Sequence, residues 1–262
     1  MFKIITAVLI FSFQVHGQFR FENLEKRDVQ KILQDIGTLT QHTSVSGAKP
    51  ISEEEHTFEF GIGGTYAQTP SINQFVADSG GDDSYNYLPT AAMLARFHAG
   101  GILGVELAML PEIDVGEYNV RNFSGAVELL LFRYNDNYFS LNGFTGNSEV
   151  KYEQLVDSSP VDVEIKDQVS GYVFNYSRVY NEFELYLGYG VSTLDGEMST
   201  TGSKTIFDIG VSGTSSVPVS QSSEHFKLGV NYKLGSYKLG GEYSKVFGNE
   251  RFSVKATILN IF

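Results

Sequence analysis

From Ser223 to the end, the chain reads with a period of two. Phe226, Leu228, Val230, Tyr232 and Leu234 alternate with Lys227, Gly229, Asn231 and Lys233. After a Gly235-Ser236 turn, Tyr237, Leu239, Gly241 and Tyr243 alternate with Lys238, Gly240, Glu242 and Ser244. After Gly248-Asn249, Phe252, Val254, Ala256 and Ile258 alternate with Arg251, Ser253, Lys255 and Thr257. Successive side chains of a strand point to opposite faces, so these are three strands, apolar on one face and charged on the other. The charged face is too polar for a dry core. Two environments suit such a ribbon: a sheet packed on a soluble core, or a membrane barrel with hydrocarbon outside and a polar lumen inside. Aromatic residues toward the ends of the apolar faces, such as Phe226, Tyr232, Tyr237, Tyr243 and Phe252, sit where interfacial girdles form and favour the barrel.

Carried back along the chain, the pattern predicts ten strands, near 56–67, 89–99, 102–110, 121–134, 137–146, 169–178, 182–193, 223–234, 236–246 and 250–261. Short joins at Gly100-Gly101, Asn135-Asp136, 179–181 and Gly235 alternate with joins at 68–88, 111–120, 147–168, 194–222 and a tight one at 247–249. Bacterial barrels have an even strand number, short periplasmic turns and longer outer loops, so the parity is self-consistent. Within 203–213, Ile206, Asp208 and Gly210 alternate with Phe207, Ile209 and Val211, which predicts a hairpin arm above the membrane. In the first strand Phe58, Phe60, Ile62 and Tyr66 face outward; in the third Leu103, Val105, Leu107 and Met109; in the seventh Phe183, Leu185, Leu187 and Tyr189. Leu94, Leu130 and Phe132 fall on inward positions, and Phe132 asks for a local bulge.

The first fifty residues break the pattern. Met1 to Lys3 is a short basic start, Ile4 to Phe13 is mostly apolar, and Val15-His16-Gly17 is acceptable to a signal peptidase, so 1–17 reads as a signal peptide. The apolar run is shorter than the roughly 20 residues that span a bilayer. In 18–50, Asn23 is a candidate cap for a helix through Leu24, Val29, Ile32, Leu33 and Ile36, ended by Gly37. A small barrel is nearly filled by its own side chains, so this segment is expected below the barrel as a periplasmic helix, with 38–55 as a linker.

Composition sharpens the picture in three ways. Cysteine is absent, which removes disulfides, thiol catalysis and thiolate metal sites. A mean hydropathy of −0.12 fits a barrel, whose apolar residues are hidden in alternation. A net charge of −12 from 19 basic and 31 acidic residues excludes a nucleic-acid partner, which needs clustered cations.

The chemistry-bearing residues lie on the inward face: Glu59, Arg96, His98, Glu106, Glu128, Glu184, Lys227, Lys233, Lys238, Glu242, Arg251 and Lys255. Strand positions put Glu106, Glu128, Glu242 and Lys255 near mid-height. Enclosed charges must be paired or wet, so the set is either a rigidifying ion-pair network or the lining of a narrow polar pore. Lys255 and the lysines near Glu242 are the expected counter-charges for Glu106 and Glu128. Of the histidines, His42 falls in the linker, and only His225 is expected near the outer rim, within range of Ser222, Ser223, Asp195 and Asp208 for a hydrolase-like pairing. Asp78 to Asp83 and Glu149 to Asp167 are acidic but lack the ligand spacing of a calcium loop. No cofactor is called for.

The alternation, the loop parity and the terminal Phe262 together resemble small outer-membrane β-barrel proteins of Gram-negative bacteria, over the signal segment and roughly residues 56–262. Asn260 departs from the usual terminal signature, where an apolar residue is the rule. The resemblance implies a closed, antiparallel, all-β transmembrane barrel in the outer membrane, reached through the periplasm and in contact with outer-membrane lipid and lipopolysaccharide. It also implies that the barrel assembly machinery reads the last strand through Phe252, Val254, Ile258 and Phe262. No family active site transfers, because no motif matches one. The function expected is a structural or narrow-pore barrel with long outer loops; the alternatives are a porin or transporter for small polar solutes or ions, and an outer-membrane hydrolase built on His225.

Overall fold

The computed structural model describes residues 26–50, 56–78, 86–115, 118–156, 159–206 and 209–261. The expected signal segment 1–17 and the terminal Phe262 lie outside them. A helix α1 (Lys26–Thr40) precedes β1 (Thr57–Gln68), a short helix α2 (Pro70–Asp78) follows, and then come β2 (Tyr87–Ala99), β3 (Leu103–Val115), β4 (Tyr118–Tyr134), β5 (Asn137–Val156), β6 (Ser159–Tyr180), β7 (Phe183–Ile206), β8 (Ile209–Leu234), β9 (Tyr237–Val246) and β10 (Asn249–Ile261). The ten strands form a closed antiparallel barrel in which each pairs with its sequence neighbours and β1 pairs with β10. Closure leaves both faces of every strand defined: one turns to the ring's interior, the other to its surroundings.

The turns explain the close parity. Gly100 and Gly101 both have positive φ, at 55° and 69°, as do Asn135, Asn181 and Gly235, at 50°, 54° and 60°. These are the residue types that reach the left-handed region cheaply, and they mark one end of the barrel. At the opposite end β5 to β8 run on for 20, 22, 24 and 26 residues, against 10 in β9. The rim is therefore high on one side. The polarity of 147–168 and 194–222 predicts loops, but their Val, Thr and Ser residues suit a pleated strand, and outward hydroxyls pair across it, Thr193 with Ser222 at 3.0 Å and Thr201 with Thr214 at 3.1 Å. The arm within 203–213 is the top of the β7–β8 hairpin. A register shift between Leu130 and Phe132 supplies the bulge Phe132 required; Phe132 points outward and stacks on Phe139 at 5.2 Å.

The exterior is apolar. Phe60, Leu107, Leu187, Leu228 and Val254 are 45–63% exposed. Aromatic pairs border this band at both ends: Phe183–Tyr232 (4.6 Å) at the turn end, Tyr243–Phe252 (5.2 Å) and Tyr66–Tyr87 (4.9 Å) at the other. From Phe58 to Tyr66 along β1 is roughly 20 Å along the barrel axis, taking a 3.3 Å rise and a strand tilt near 40°. That height approaches the band of about 25 Å that such barrels present to hydrocarbon.

Candidate functional site: an occupied lumen

The main departure from the sequence reading is the position of residues 26–50. They lie inside the barrel, not below it. Contacts with β7 trace the path. Leu33 packs where a Cβ on Gly196 would stand 3.0 Å away, and Gly37 lies against Leu194 and Val169. Gln41 donates to Ser192 Oγ at 3.0 Å, and the Lys49 amide donates to Glu184 at 2.9 Å. Down the barrel from the tall rim to the turn end, α1 comes first and the extended strap 41–50 follows. The helix does not stop at Gly37, where a Cβ would come 2.9 Å from Leu194 Cδ1. The glycine permits close approach to the wall; its absent side chain made it look like a cap.

Two tiers result. In the upper tier the apolar stripe of α1, Val29, Ile32, Leu33 and Ile36, joins a buried cluster with Val163, Ile165, Val169, Leu194, Met198 and Val219 on the wall. The long strands β6 to β8 thus have apolar inner faces because they enclose a helix. Asp35 on the same helix receives the Ser71 and Ile72 amides of α2 at 2.7 and 2.9 Å, and Asn249 Nδ2 at 2.8 Å. It therefore caps α2 and ties it to the plug. Burial raises its pKa to about 6, against the bonds that oppose the rise.

The lower tier is ionic. Glu59, Glu106, Glu128, Glu184 and Glu242 and the cations Arg96, Lys227, Lys238, Arg251 and Lys255 are all buried, five of each sign. Arg96, a counter-charge the spacing did not single out, bonds Glu128 and lies 3.7 Å from Glu106. In direct contact, Lys255 pairs with Glu59 at 3.2 Å, Lys227 with Glu242 at 3.5 Å, and Arg251 with Glu242 at 3.9 Å. The strap threads these pairs. Ser46 takes bonds from Arg96 and from Lys255 Nζ (2.8 Å), and its carbonyl accepts from Lys227 Nζ at 3.0 Å. His42, read as a linker residue, bonds Ser124 at 2.8 Å and lies 3.2 Å from Glu106. Val45 adopts φ 43° while buried, a conformation costing a β-branched residue about 1–2 kcal/mol, which the surrounding bonds must offset. Gly47 leaves room for Ser177, Glu184 and Tyr186, all of which a Cβ would strike.

His225 is not at an open rim. It is 3% exposed beneath the plug, with Nδ1 near Gln41 (3.1 Å) and Ser192 (3.2 Å) and Phe144 edge-on at 5.9 Å. The serines expected beside it are engaged elsewhere: Ser222 bonds Thr193, and Ser223 accepts from the Phe247 amide. Asp208 lies outside the described residues, as do residues 79–83 of one acidic loop. Among the described residues no group of three or more His, Asp and Glu side chains gathers as a metal site. Of the last-strand residues, Phe252, Val254 and Ile258 are exposed on the exterior. Lys233 is half-buried near the turn end, and His98 is buried against Gly104.

No protein-family model matches the chain, and no curated protein is significantly similar to it. Solved structures resemble it at low identity. The outer membrane protease OmpT from Escherichia coli is 11% identical over 80% of this chain and 98% of its own, with a TM-score of 0.42. The translocator domain of the autotransporter NalP from Neisseria meningitidis is 8% identical over 81% and 90%, also at 0.42, and the attachment invasion locus protein Ail of Yersinia pestis is 15% identical over 80% and 99%, at 0.31. A closed ring of strands with a hydrocarbon-compatible exterior, aromatic borders and ionic interior is an outer-membrane β-barrel, since only a closed sheet satisfies its backbone within lipid.

Proposed function

We propose that the protein is a self-plugged outer-membrane barrel, non-conducting at rest, whose working surface is the tall extracellular wall formed by β5 to β8. The observation that carries this reading is the occupied lumen: α1 fills the upper tier with an apolar contact, and the strap ties the lower tier through Ser46 and Lys49. Five buried acids against five buried bases leave no net charge in the lower tier to select an ion. With short turns periplasmic, α1 lies at the outer end. Planar-bilayer recording tests the reading. The full chain gives no steady conductance, and the same barrel lacking residues 26–50 conducts. Steady channels from the full chain would make the porin reading the better one. A hydrolase reading has no supporting geometry at His225, and the test for it is whether His225→Ala abolishes any lipid- or peptide-cleaving activity found in the purified protein.

A further inference from the structure

On one side the ring closes only as high as β9 reaches. Pairing between β8 and β9 ends at His225↔Val246, where the Phe247-Gly248 turn reverses the chain, whereas β8 stays paired with β7 up to Ile206↔Ile209. Above His225, among the described residues, β8 therefore has a strand neighbour on one side alone. The Lys233 amide donates to the Glu182 carbonyl at 3.0 Å, and the β7–β8 register runs upward from there without a break. Successive residues of an antiparallel strand turn their N–H and C=O to opposite sides. Odd-numbered residues of β8 thus bond β7, and even-numbered ones turn to the empty side. Pro218 is even-numbered, so its missing N–H removes no bond from the β7 ladder, which is where a strand tolerates proline. Thr214, Ser216, Ser220 and Ser222 turn their main-chain groups to water along about 27 Å of bare edge.

This edge is held in place from within. Gln221, turned inward, accepts from Gln30 of α1 at 2.7 Å, and Val219 belongs to the buried cluster with Val217 packed against it. The hydroxyls of Thr214 and Ser222 already bond Thr201 and Thr193, so the main chain, not these side chains, is what the edge offers. The outward face beside it has one sign of charge. Asp195, Glu197 and Glu224 are exposed there, and between 193 and 201 and between 214 and 224 no base faces outward. The outward base on the next strand, Lys166, faces Glu197 but is bonded to Glu164 at 2.7 Å. Because Ser216, Ser220 and Ser222 are short, a lysine on a strand added beside β8 can lie over them toward Asp195 and Glu197, two strand spacings or about 10 Å away.

We infer that the bare edge of β8 is a docking site for an extended, basic segment of another protein, which adds as an antiparallel strand in the place above β9. Its lysine or arginine side chains face outward over the serines, and its alternate apolar side chains face inward beside Val217 and Val219. Main-chain bonds supply the affinity of such an added strand, and here the carboxylates choose its sign. The same carboxylates oppose a second copy of this edge, since pairing two of them would bring like charges together. The inference rests on the reading of the β5–β8 wall as the working surface and names the partner of that surface.

The test uses the full chain in nanodiscs of zwitterionic phosphatidylcholine and a fluorescent peptide of about eight residues that alternates lysine and valine. Its binding is expected to be about tenfold or more tighter than that of the matching glutamate–valine peptide. In an antiparallel pairing the lysine backbone nitrogens face β8 and the valine ones face away, so methylating the former abolishes binding and methylating the latter leaves it within about threefold. On binding, amide exchange at Ser216, Ser220 and Ser222 slows about tenfold, while Val217, Val219 and Gln221, already bonded to β7, keep their rates. Ser220→Pro removes one edge donor without touching the β7 ladder and is expected to weaken binding about tenfold, with the heat-sensitive electrophoretic mobility of a folded barrel retained. Should it fail to fold, the two methylated peptides decide. Binding indifferent to methylation of the lysine nitrogens, or unchanged exchange at the three serines, overturns strand addition. Equal binding of the acidic peptide overturns the basic partner, and self-association of the chain that the peptide displaces assigns the edge to a second copy instead. A chain that conducts yet binds the peptide loses the plug and keeps this site; a silent chain that does not bind loses this site alone.

Discussion

Leu33 is the side chain on which the plug can be tested most directly. It is 0% exposed, it sits in the cluster that joins α1 to Val163, Leu194, Met198 and Val219, and it meets the wall at Gly196. Truncation to alanine removes three carbons and leaves a void between a helix and a sheet that is held by its own ladder and cannot close in, so the cost falls in the upper part of the usual range, about 3–4 kcal/mol. The barrel strands keep their backbone bonds, and the loss is charged mainly to docking of α1. At 1.4 kcal/mol per tenfold, a loss of about 3 kcal/mol raises the undocked population about a hundredfold. Single-channel recording at fixed voltage reads this as the fraction of time spent at the conductance of the barrel lacking residues 26–50, compared between Leu33→Ala and the unmodified chain. Heat-sensitive mobility of both proteins confirms that the barrel is intact. An open fraction within threefold of the unmodified chain, with the barrel intact, would refute the argument that the apolar contact of α1 closes the upper tier.

Three further outcomes follow from the geometry. Arg96→Gln leaves Glu106 and Glu128 buried without their shared partner and is expected to lower unfolding stability by about 3–5 kcal/mol, partly restored by adding Glu128→Gln; urea titration in lipid vesicles checks both. Asp35, with its pKa raised from 3.8 to about 6, binds a proton more tightly folded than unfolded, so this group's contribution favours the folded state increasingly as pH falls from about 7 toward 4. The melting temperature of the unmodified chain should therefore show a component that rises over that window and is missing in Asp35→Asn; an identical pH profile for the two proteins counts against it. Because the chain has no cysteine, Lys26→Cys should react with a membrane-impermeant maleimide on intact cells and Lys49→Cys only after the outer membrane is permeabilised. The reverse pattern would invert the barrel.

The ten-stranded ring and its apolar face were legible in the residues alone, because alternation is a local property that every strand repeats. Phe58, Leu107, Leu187 and Leu228 could be assigned outward from their neighbours alone, and Asn135 and Gly100 marked turns because few residues take positive φ cheaply. Polar stretches such as 194–222 misled because hydroxyl-rich strands and loops share a composition; only pairing across the hairpin distinguishes them. The lumen was decided by tertiary structure. Nothing in the spacing of Val29, Ile32, Leu33 and Ile36 says which apolar surface they meet, and the inward Val163, Val169, Leu194 and Val219 gain meaning only once a helix lies among them. That Arg96 makes the direct contacts with Glu106 and Glu128 while Lys255 touches Glu59 likewise depends on register and on where the strap runs. Charges opposed across a ring are fixed by the distance between strands remote in sequence, which no periodicity encodes.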